Sequence, residues 1–365
     1  MAMDSDEPRE RVYELMSRAE DLPDGPAKVA LIEEAVGLAD AVADVELGMR
    51  VREDLIQAAN SAGRGDVLIV AFAWCLAQCD RDPTRFSETE MFWTYKWVTN
   101  VLPKFPQFSR ERIGAMLDDQ DARYARHGFL PRPVLKLRCE AALAFGDLEV
   151  ARTLLARWQD APADDNNDCA ACEIDATSEA YLLLGDVERA LAIAAPLVDT
   201  RRQSCAEVPH ITYGRLLAPC LALGDLERAR RYDEQGYALV RGSPSFVHQV
   251  GEHMAYAAAS GDWARGVRML ERHAGWLDLA GAPRHHFEWW LGARAAIAGG
   301  ARDSRRATRT LRLPRSWPIW RADGSYAWAD LLAHADTVLD GLAGAFDRRN
   351  GNDRFAARVR AARVG

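Results

Sequence analysis

Apolar residues recur at helical spacing along most of the chain. Segments such as Cys139–Phe145 and Leu148–Leu155 place apolar residues at intervals of three and four, the pattern of an amphipathic helix. A Gly-Asp pair separates such runs at Gly146-Asp147, Gly185-Asp186, Gly224-Asp225 and Gly261-Asp262. Glycine adopts the left-handed conformation that ends one helix, and aspartate caps the next. The pattern therefore predicts pairs of antiparallel helices joined by short turns.

The spacing of these pairs predicts a repeat architecture. Successive pairs are 39, 39 and 37 residues apart, the length of one helical hairpin, and an earlier pair, Gly65-Asp66, lies 81 residues before the first. We predict an all-α fold: a right-handed superhelical solenoid of antiparallel hairpins in which each repeat contacts its neighbours. Residues 1–313 would form one continuous array, and residues 314–365 would be C-terminal capping helices. The last helices are expected at 284–298, 302–312, 325–346 and 352–363.

Composition narrows the expected location and partners. Hydrophobic residues make up 48% of the chain, yet no stretch approaches the roughly 18 uncharged apolar residues that a membrane span needs. The first ten residues are acidic and polar, unlike a secretory signal. A net charge of -8 argues against general affinity for nucleic acid. We expect a cytoplasmic protein with no membrane partner, for which nucleic acid is an improbable ligand.

One basic cluster departs from this acidic balance. Six arginines are predicted to share one helix near the C-terminal end, namely Arg302, Arg305, Arg306, Arg309, Arg312 and Arg315. A solvated helix face is the simpler interpretation, and a site for RNA or an acidic partner is the alternative.

Three of the seven cysteines stand outside the apolar helix pattern. Cys169 and Cys172 form a Cys-x-x-Cys pair at the start of one hairpin, while Cys205 and His210 open the next. Cys172 precedes its Gly-Asp turn by 13 residues and His210 precedes its own by 14. Both are thus expected in the first turn of equivalent helices, which pack about 8–10 Å apart. The four side chains predict a zinc site, and four protein ligands would make it structural.

Alternatives stay open for this cluster. The cysteines could form a reactive or regulatory thiol pair, or be ordinary buried residues. If His210 is not a ligand, then Glu207, Asp168 or a water molecule could occupy the fourth position. An exchangeable fourth position would permit a zinc-dependent metalloenzyme of specialised metabolism, with Glu207 as general base.

The chain resembles an uncharacterised family of actinobacterial tetratricopeptide-repeat proteins, most clearly between residues 158 and 273. The segments that carry the resemblance are Arg157-Trp158, Asp164-Asp165, Asp168–Cys172, Cys205–His210, Arg265-Gly266, Glu271–His273 and, upstream, Gly25–Lys28 and Lys96–Val98. The resemblance implies a helical-repeat fold and a deliberate cysteine spacing, and it implies no activity. The repeats depart from the usual tetratricopeptide pattern because they are 37–39 residues long rather than 34, and because the characteristic early Trp and mid-repeat Tyr are absent.

The first helix of each hairpin would line the concave face of the solenoid, the usual surface for a peptide. Lys136, Asp175, Arg215 and Glu252 occupy matched positions there, 9 or 10 residues before their turns. Their alternating charges either neutralise one another or form a groove that clamps a zwitterionic peptide or small metabolite. Histidines near this face, including His248, are expected to be surface or packing residues because their spacing does not suit a metal.

Two aromatic clusters fall on the same predicted helices. One contains Trp93 and Trp97, and the other contains Trp289 and Trp290. Each is expected to pack partly in the core, and the alternative is an exposed platform for a partner.

The absence of a recognisable catalytic set in the sequence favours a scaffold or interaction protein that binds a protein or peptide in its concave groove, with a structural zinc joining two repeats. The metalloenzyme is the alternative, and an RNA-associated protein that uses the arginine cluster is a weaker one.

Overall fold

The structure is a computed structural model that describes residues 6–200, 202–279 and 281–364. Within these residues the protein is all-helical apart from one short β-hairpin, which confirms the predicted helical class. Two compact units are present, as far as their residues are described: unit 1 (Met1–Leu102 and Leu279–Ala282) and unit 2 (Pro103–Asp278 and Pro283–Gly365). The continuous array over residues 1–313 stays a prediction.

Unit 1 is a series of helices in which each helix packs on the next. Its helices are α1 (Asp6–Glu20), α2 (Pro26–Val42), α3 (Val45–Ser61), α4 (Gly65–Arg81) and α5 (Phe92–Val101). Apolar residues at helical spacing, such as Leu15, Ile32 and Phe72, are fully or almost fully buried. The turn before α4 differs from the predicted one, because Gly63 rather than Gly65 has a positive φ and Gly65 is the first residue of α4.

Unit 2 contains the predicted hairpins. Its helices are α6 (Arg110–Arg126), α7 (Arg132–Phe145), α8 (Leu148–Asp160), α9 (Ala170–Leu183), α10 (Val187–Val198), α11 (His210–Ala222), α12 (Leu226–Val240), α13 (Val247–Ala259), α14 (Trp263–His273), α15 (Pro283–Asp303), α16 (Trp328–Asn350) and α17 (Arg354–Val364). The pairs α7–α8, α9–α10, α11–α12 and α13–α14 pack as hairpins, and their first helices contact one another in the order α7–α9 and α11–α13.

The four Gly-Asp turns have the predicted conformation. Gly146, Gly185, Gly224 and Gly261 have φ between +74° and +90°, which only glycine adopts at little cost. In three of the turns the aspartate side chain accepts a hydrogen bond from the backbone N–H three residues later. The local chemistry read from the sequence therefore sets these helix boundaries.

The segment after α15 differs from the prediction. A helix was expected over 302–312, but α15 ends at Asp303 and a strand β1 (Thr308–Thr310) pairs antiparallel with β2 (Ser325–Ala327). The six arginines from Arg302 to Arg315 therefore do not share one helix, and the predicted single basic helix face is wrong. Trp328 explains part of the difference, because its indole N–H donates to the carbonyl of Arg306 at 3.0 Å and fixes the loop.

The backbones of α13 and α15 approach each other unusually closely. A Cβ added to Gly292 would lie 1.9 Å from the carbonyl oxygen of Gly251, and one added to Gly251 would lie 2.4 Å from the carbonyl oxygen of Glu288. Only glycine allows this crossing at both positions. It brings the polar faces of α13 and α15 together.

A buried ion-pair network supports α12, α13 and α14. Asp233 is 2% exposed, and its carboxylate contacts His253 Nδ1 at 2.7 Å and Arg265 Nη1 at 2.6 Å. Because three helices contribute to the network, it links one hairpin to the next.

None of the described helices combines the length and the apolar composition that crossing a lipid bilayer requires.

Candidate functional site

Two of the three candidate cysteines come from the start of α9. Cys169 is the N-cap residue with an extended backbone (φ -65°, ψ 158°), and its carbonyl accepts from Glu173 N–H at 3.0 Å. Cys172 follows within the first turn. A three-residue step in a helix places both side chains on the same side.

Cys205 reaches the same place from the loop between α10 and α11. Its N–H donates to the carbonyl of Val208 at 2.8 Å, which closes a tight turn just before α11. The sulfurs of Cys172 and Cys205 are 3.2 Å apart, and the three Sγ atoms of Cys169, Cys172 and Cys205 all lie within 4.8 Å of one another. The structure thus brings together three of the four predicted ligands, from the starts of two successive hairpins.

The geometry of the three sulfurs fits a metal ion. In a tetrahedral zinc site, Zn–S bonds of about 2.3 Å place sulfurs about 3.8 Å apart. The Cys172–Cys205 distance of 3.2 Å is shorter than that value and longer than the roughly 2.0 Å of a disulfide, and all three sulfurs are near enough to bind one ion. The remaining four cysteines, Cys75, Cys79, Cys139 and Cys220, are buried and are not members of the group.

The electrostatic surroundings of the thiols are unequal. Although burial opposes it, the pKa of Cys169 is lowered, because the backbone amide of Cys172 and the neighbouring sulfurs stabilise its thiolate at the N-terminus of α9. Burial, followed by the two neighbouring sulfurs, raises the pKa of Cys172. Without a cation the cluster therefore favours one thiolate, and a divalent metal would supply the charge that stabilises the others.

His210, the predicted fourth ligand, is the first residue of α11. It is not a member of the three-sulfur group among the described residues. Its ring stacks on Phe246, with centroids 5.2 Å apart and planes inclined by 7°. Its Nδ1 is buried and has no hydrogen-bond partner. Burial lowers the pKa of His210, although the charge of Glu207 opposes the shift. The lowered pKa keeps the imidazole neutral, as a metal ligand must be. That His210 is the fourth ligand stays a prediction.

Glu207, the alternative general base, lies on the exposed turn between Cys205 and His210. Its catalytic role stays a prediction.

The loop that carries Cys169 is held against α7. The guanidinium of Arg132 donates to the carbonyls of Trp158 and Ala161 at 2.9 and 2.7 Å, and it pairs with Glu173 at 2.8 Å. Lys136 Nζ contacts the carboxylate of Asp168 at 2.5 Å. These contacts fix the start of α9, so the pair of cysteines has a defined position.

A band of charged side chains runs along the first helices of the hairpins, and we call it the charged face. It contains the four matched residues of the prediction and further members on the same helices: Lys136 and Glu140 (α7), Asp175 and Glu179 (α9), Arg215 (α11), His248 and Glu252 (α13), and Arg284, His285 and Glu288 (α15). On α7, α9, α13 and α15 the charged members are four residues apart, so each helix presents two of them on one side.

Ion pairs connect the members of the charged face across helices. Arg215 Nη1 is 2.9 Å from the Asp175 carboxylate and its Nη2 is 3.2 Å from that of Glu179. Asp175 also accepts from the hydroxyl of Thr212 at 2.6 Å. At the other end, Glu288 pairs with Arg284 at 2.6 Å and with Arg358 of α17 at 2.5 Å. The prediction that neighbours of alternating sign neutralise one another is thus correct for Asp175 and Arg215.

Glu252 differs from the other charged members. It makes no hydrogen bond or ion pair with any residue that the structure describes. Burial, and next the charge of Glu288, raises the pKa of Glu252 to about 7, although Arg358, Arg215 and Arg284 oppose the shift. Although burial alone would raise it, the pKa of Glu288 is lowered to about 2 by Arg358 and Arg284. The neighbouring arginines therefore stabilise the ionised form of Glu288, and they do not fully stabilise that of Glu252.

The two histidines of the charged face stack on each other. The rings of His248 and His285 have centroids 4.1 Å apart and planes inclined by 16°. Burial, with the charges of Lys104 and Arg215, lowers the pKa of His248 to about 3, and burial with the charge of His248 lowers that of His285 well below its usual value. Both rings are neutral near pH 7, and the buried Nδ1 of His248 has no hydrogen-bond partner. Sequence reasoning treated both as surface or packing residues, because the α13–α15 crossing is not visible in their spacing.

The four tryptophans have different surroundings. In unit 1, Trp93 is 45% exposed and Lys96 Nζ lies 3.5 Å from the centroid of its ring, while Trp97 is half-buried. In unit 2, Trp289 and Trp290 are 0% and 5% exposed and pack against Trp317. The latter two are core residues whose side chains no partner can reach.

Comparison with known proteins found neither a family model nor a curated protein sequence that matches the chain.

Proposed function

We propose that this protein is a tetratricopeptide-like interaction protein, in which the charged face lines the concave groove of a right-handed solenoid and binds an extended peptide of a partner. The observation that supports the proposal most is the charged face, where residues far apart in sequence form pairs between α9 and α11, between α13 and α15, and between α15 and α17. The resemblance to actinobacterial repeat proteins belongs to the same proposal. Grooves of this kind hold peptides through polar groups at successive repeats.

Site-specific photocrosslinking tests the groove. A photoreactive benzoylphenylalanine at Glu179, whose side chain is 39% exposed on the charged face, should capture peptides from a random library. The same group at Arg230, which is 77% exposed on α12, serves as the control. Capture at position 179 that competes with unlabelled peptide, and none at position 230, supports the proposal. Equal capture at both positions would contradict it.

The second part of the proposal is a structural zinc held by Cys169, Cys172 and Cys205, with His210 as fourth ligand. Three sulfurs within 4.8 Å of one another, supplied by two hairpins, support it. Bound zinc would supply the positive charge that three neighbouring thiolates need, and it would tie the two loops together. Protein purified without added metal should contain about one zinc per chain. Cys205→Ser should lose the metal and Cys220→Ser should retain it, since Cys220 is buried outside the group.

A further inference from the structure

Glu252 is the carboxylate of the charged face that has no partner among the described residues. The other carboxyl groups of the face, Glu140, Asp175, Glu179 and Glu288, and the neighbouring Asp168 each lie within 4 Å of a lysine or arginine nitrogen. Those nitrogens belong to Lys136, Arg215, Arg284 and Arg358, so each of these four cations pairs with a carboxylate other than Glu252.

The carboxylate of Glu252 belongs to a partly exposed residue and receives no hydrogen bond from the described residues. His248 lies one helical turn before it on α13, is neutral, and has a buried Nδ1 without a partner. The arginines nearest to Glu252 already donate to other carboxylates. A ligand can therefore reach Glu252, and one that brings N–H groups and a positive charge supplies the partner that the protein does not.

We infer that Glu252, with His248 beside it, binds an organic monocation, the ammonium or guanidinium group of the ligand that occupies the groove. The inference deepens the proposed peptide binding and rests on it for the source of the cation. An ammonium group offers three donors and a guanidinium five, which matches a carboxylate and an imidazole nitrogen at one site.

Cation binding at Glu252 should depend on pH, because it requires the ionised carboxylate. The groups that face Glu252 are Glu288 and Arg284 of α15, Arg215 of α11, Arg358 of α17 and His248 of its own helix. Because the pKa of His248 is about 3 and that of Glu288 about 2, neither changes charge between pH 6 and pH 8. Among these groups Glu252, with its pKa of about 7, loses its proton in that window, and its ionised form is the one that binds a cation.

Calorimetric titration of the full chain tests the site with two probes. One probe is n-butylamine, and the other is the tripeptide Gly-Lys-Gly with acetylated and amidated ends. We expect binding at pH 8 that weakens about tenfold at pH 6, since the ionised fraction of a group with a pKa of about 7 falls from roughly 0.9 to 0.1. Glu252→Gln should lose the affinity and the pH dependence. Glu234→Gln, on the exposed face of α12, should change neither.

The outcomes separate this inference from the proposed function. Binding of the lysine tripeptide, and not of its side-chain-acetylated form, supports both. Binding of n-butylamine alone supports the cation site and contradicts a peptide as its source. If neither probe binds, or if Glu252→Gln binds as the parent protein does, the cation site is wrong, while peptides crosslinked at position 179 would still support the groove. Circular dichroism of Glu252→Gln confirms that a loss of binding is not a loss of fold.

Discussion

Removing the proposed metal should destabilise the contact between the start of α9 and the loop before α11. A bridge between Cys172 and Cys205 closes a loop of 33 residues. Treated as a covalent crosslink, a loop of that length restricts the unfolded chain by roughly 4 kcal/mol at 25 °C. Because the bridge joins the start of α9 to the loop before α11, we expect the loss to appear as local opening there. Helices whose hydrogen bonds lie within one hairpin should be much less affected.

Hydrogen exchange measures this local opening directly. The reporter amides are those of Glu173 and Cys205, which donate to the carbonyls of Cys169 and Val208. Chelation of the metal should accelerate their exchange by as much as roughly a thousandfold, the equivalent of about 4 kcal/mol. The amide of Ala229, which donates to Asp225 at the start of α12, is the internal control and should change little.

Variants separate metal loss from other effects of a chelator. Cys205→Ser should reproduce the fast exchange without chelator, and Cys220→Ala should exchange as the parent protein does in the presence of metal. If the chain binds zinc and yet the amides of Glu173 and Cys205 exchange equally fast with and without it, the metal does not join the two hairpins, and the reasoning from loop closure is refuted.

Three further predictions concern stability, each measured by urea denaturation. The pKa of Glu252 in the folded protein, about 7, lies above the usual 4.5. The folded state therefore holds a proton that the unfolded state has lost, and the free energy of unfolding should fall as the pH rises from about 4.5 to 7. Glu252→Gln should remove up to about 3 kcal/mol of this loss at pH 8, whereas Glu234→Gln, at an exposed position, should not. Gly292→Ala places a Cβ 1.9 Å from a carbonyl oxygen of α13 and should lower the free energy of unfolding by about 3 kcal/mol or more. In Gly341→Ala the added Cβ meets nothing within 4 Å, so this control should be neutral or stabilising. Equal effects of the two substitutions would contradict the close crossing of α13 and α15. Asp233→Asn leaves the buried imidazole of His253 and the partly exposed guanidinium of Arg265 without their carboxylate and should cost about 3 kcal/mol. A loss below about 1 kcal/mol would show that the network is not needed.

Local chemistry explains which parts of the fold the sequence predicts. The four Gly-Asp turns are predictable because a positive φ at glycine and a capping carboxylate at aspartate act within a few residues. The segment after α15 is not predictable in this way. Its arginines recur at nearly helical spacing, but the contact of Trp328 with the carbonyl of Arg306 and the pairing of β1 with β2 depend on residues about 20 positions away.

For the group of three cysteines, the sequence likewise predicts some side-chain positions and not others. The grouping of Cys169, Cys172 and Cys205 could be predicted, because the three cysteines open two successive hairpins. The register argument also placed His210 at this point, and that part stays a prediction. The direction of the His210 ring could not, because it is set by stacking on Phe246, 36 residues later in the chain. Likewise, the position of Glu252 on the charged face was predicted, while its lack of a partner depends on how Arg284 and Arg358 bind Glu288.

One ion pair connects the metal cluster to the charged face. Asp168 directly precedes Cys169, and its carboxylate contacts Lys136, which is a member of the charged face and is only 9% exposed at its side chain. A buried ammonium is stable only while carboxylates compensate its charge, and the second carboxylate, that of Glu140, is farther away at 3.4 Å. Anything that displaces the loop before α9 therefore also changes the charge balance at the α7 end of the charged face. A metal bound by the three cysteines would thus help to position the charged face as well as to stabilise the fold.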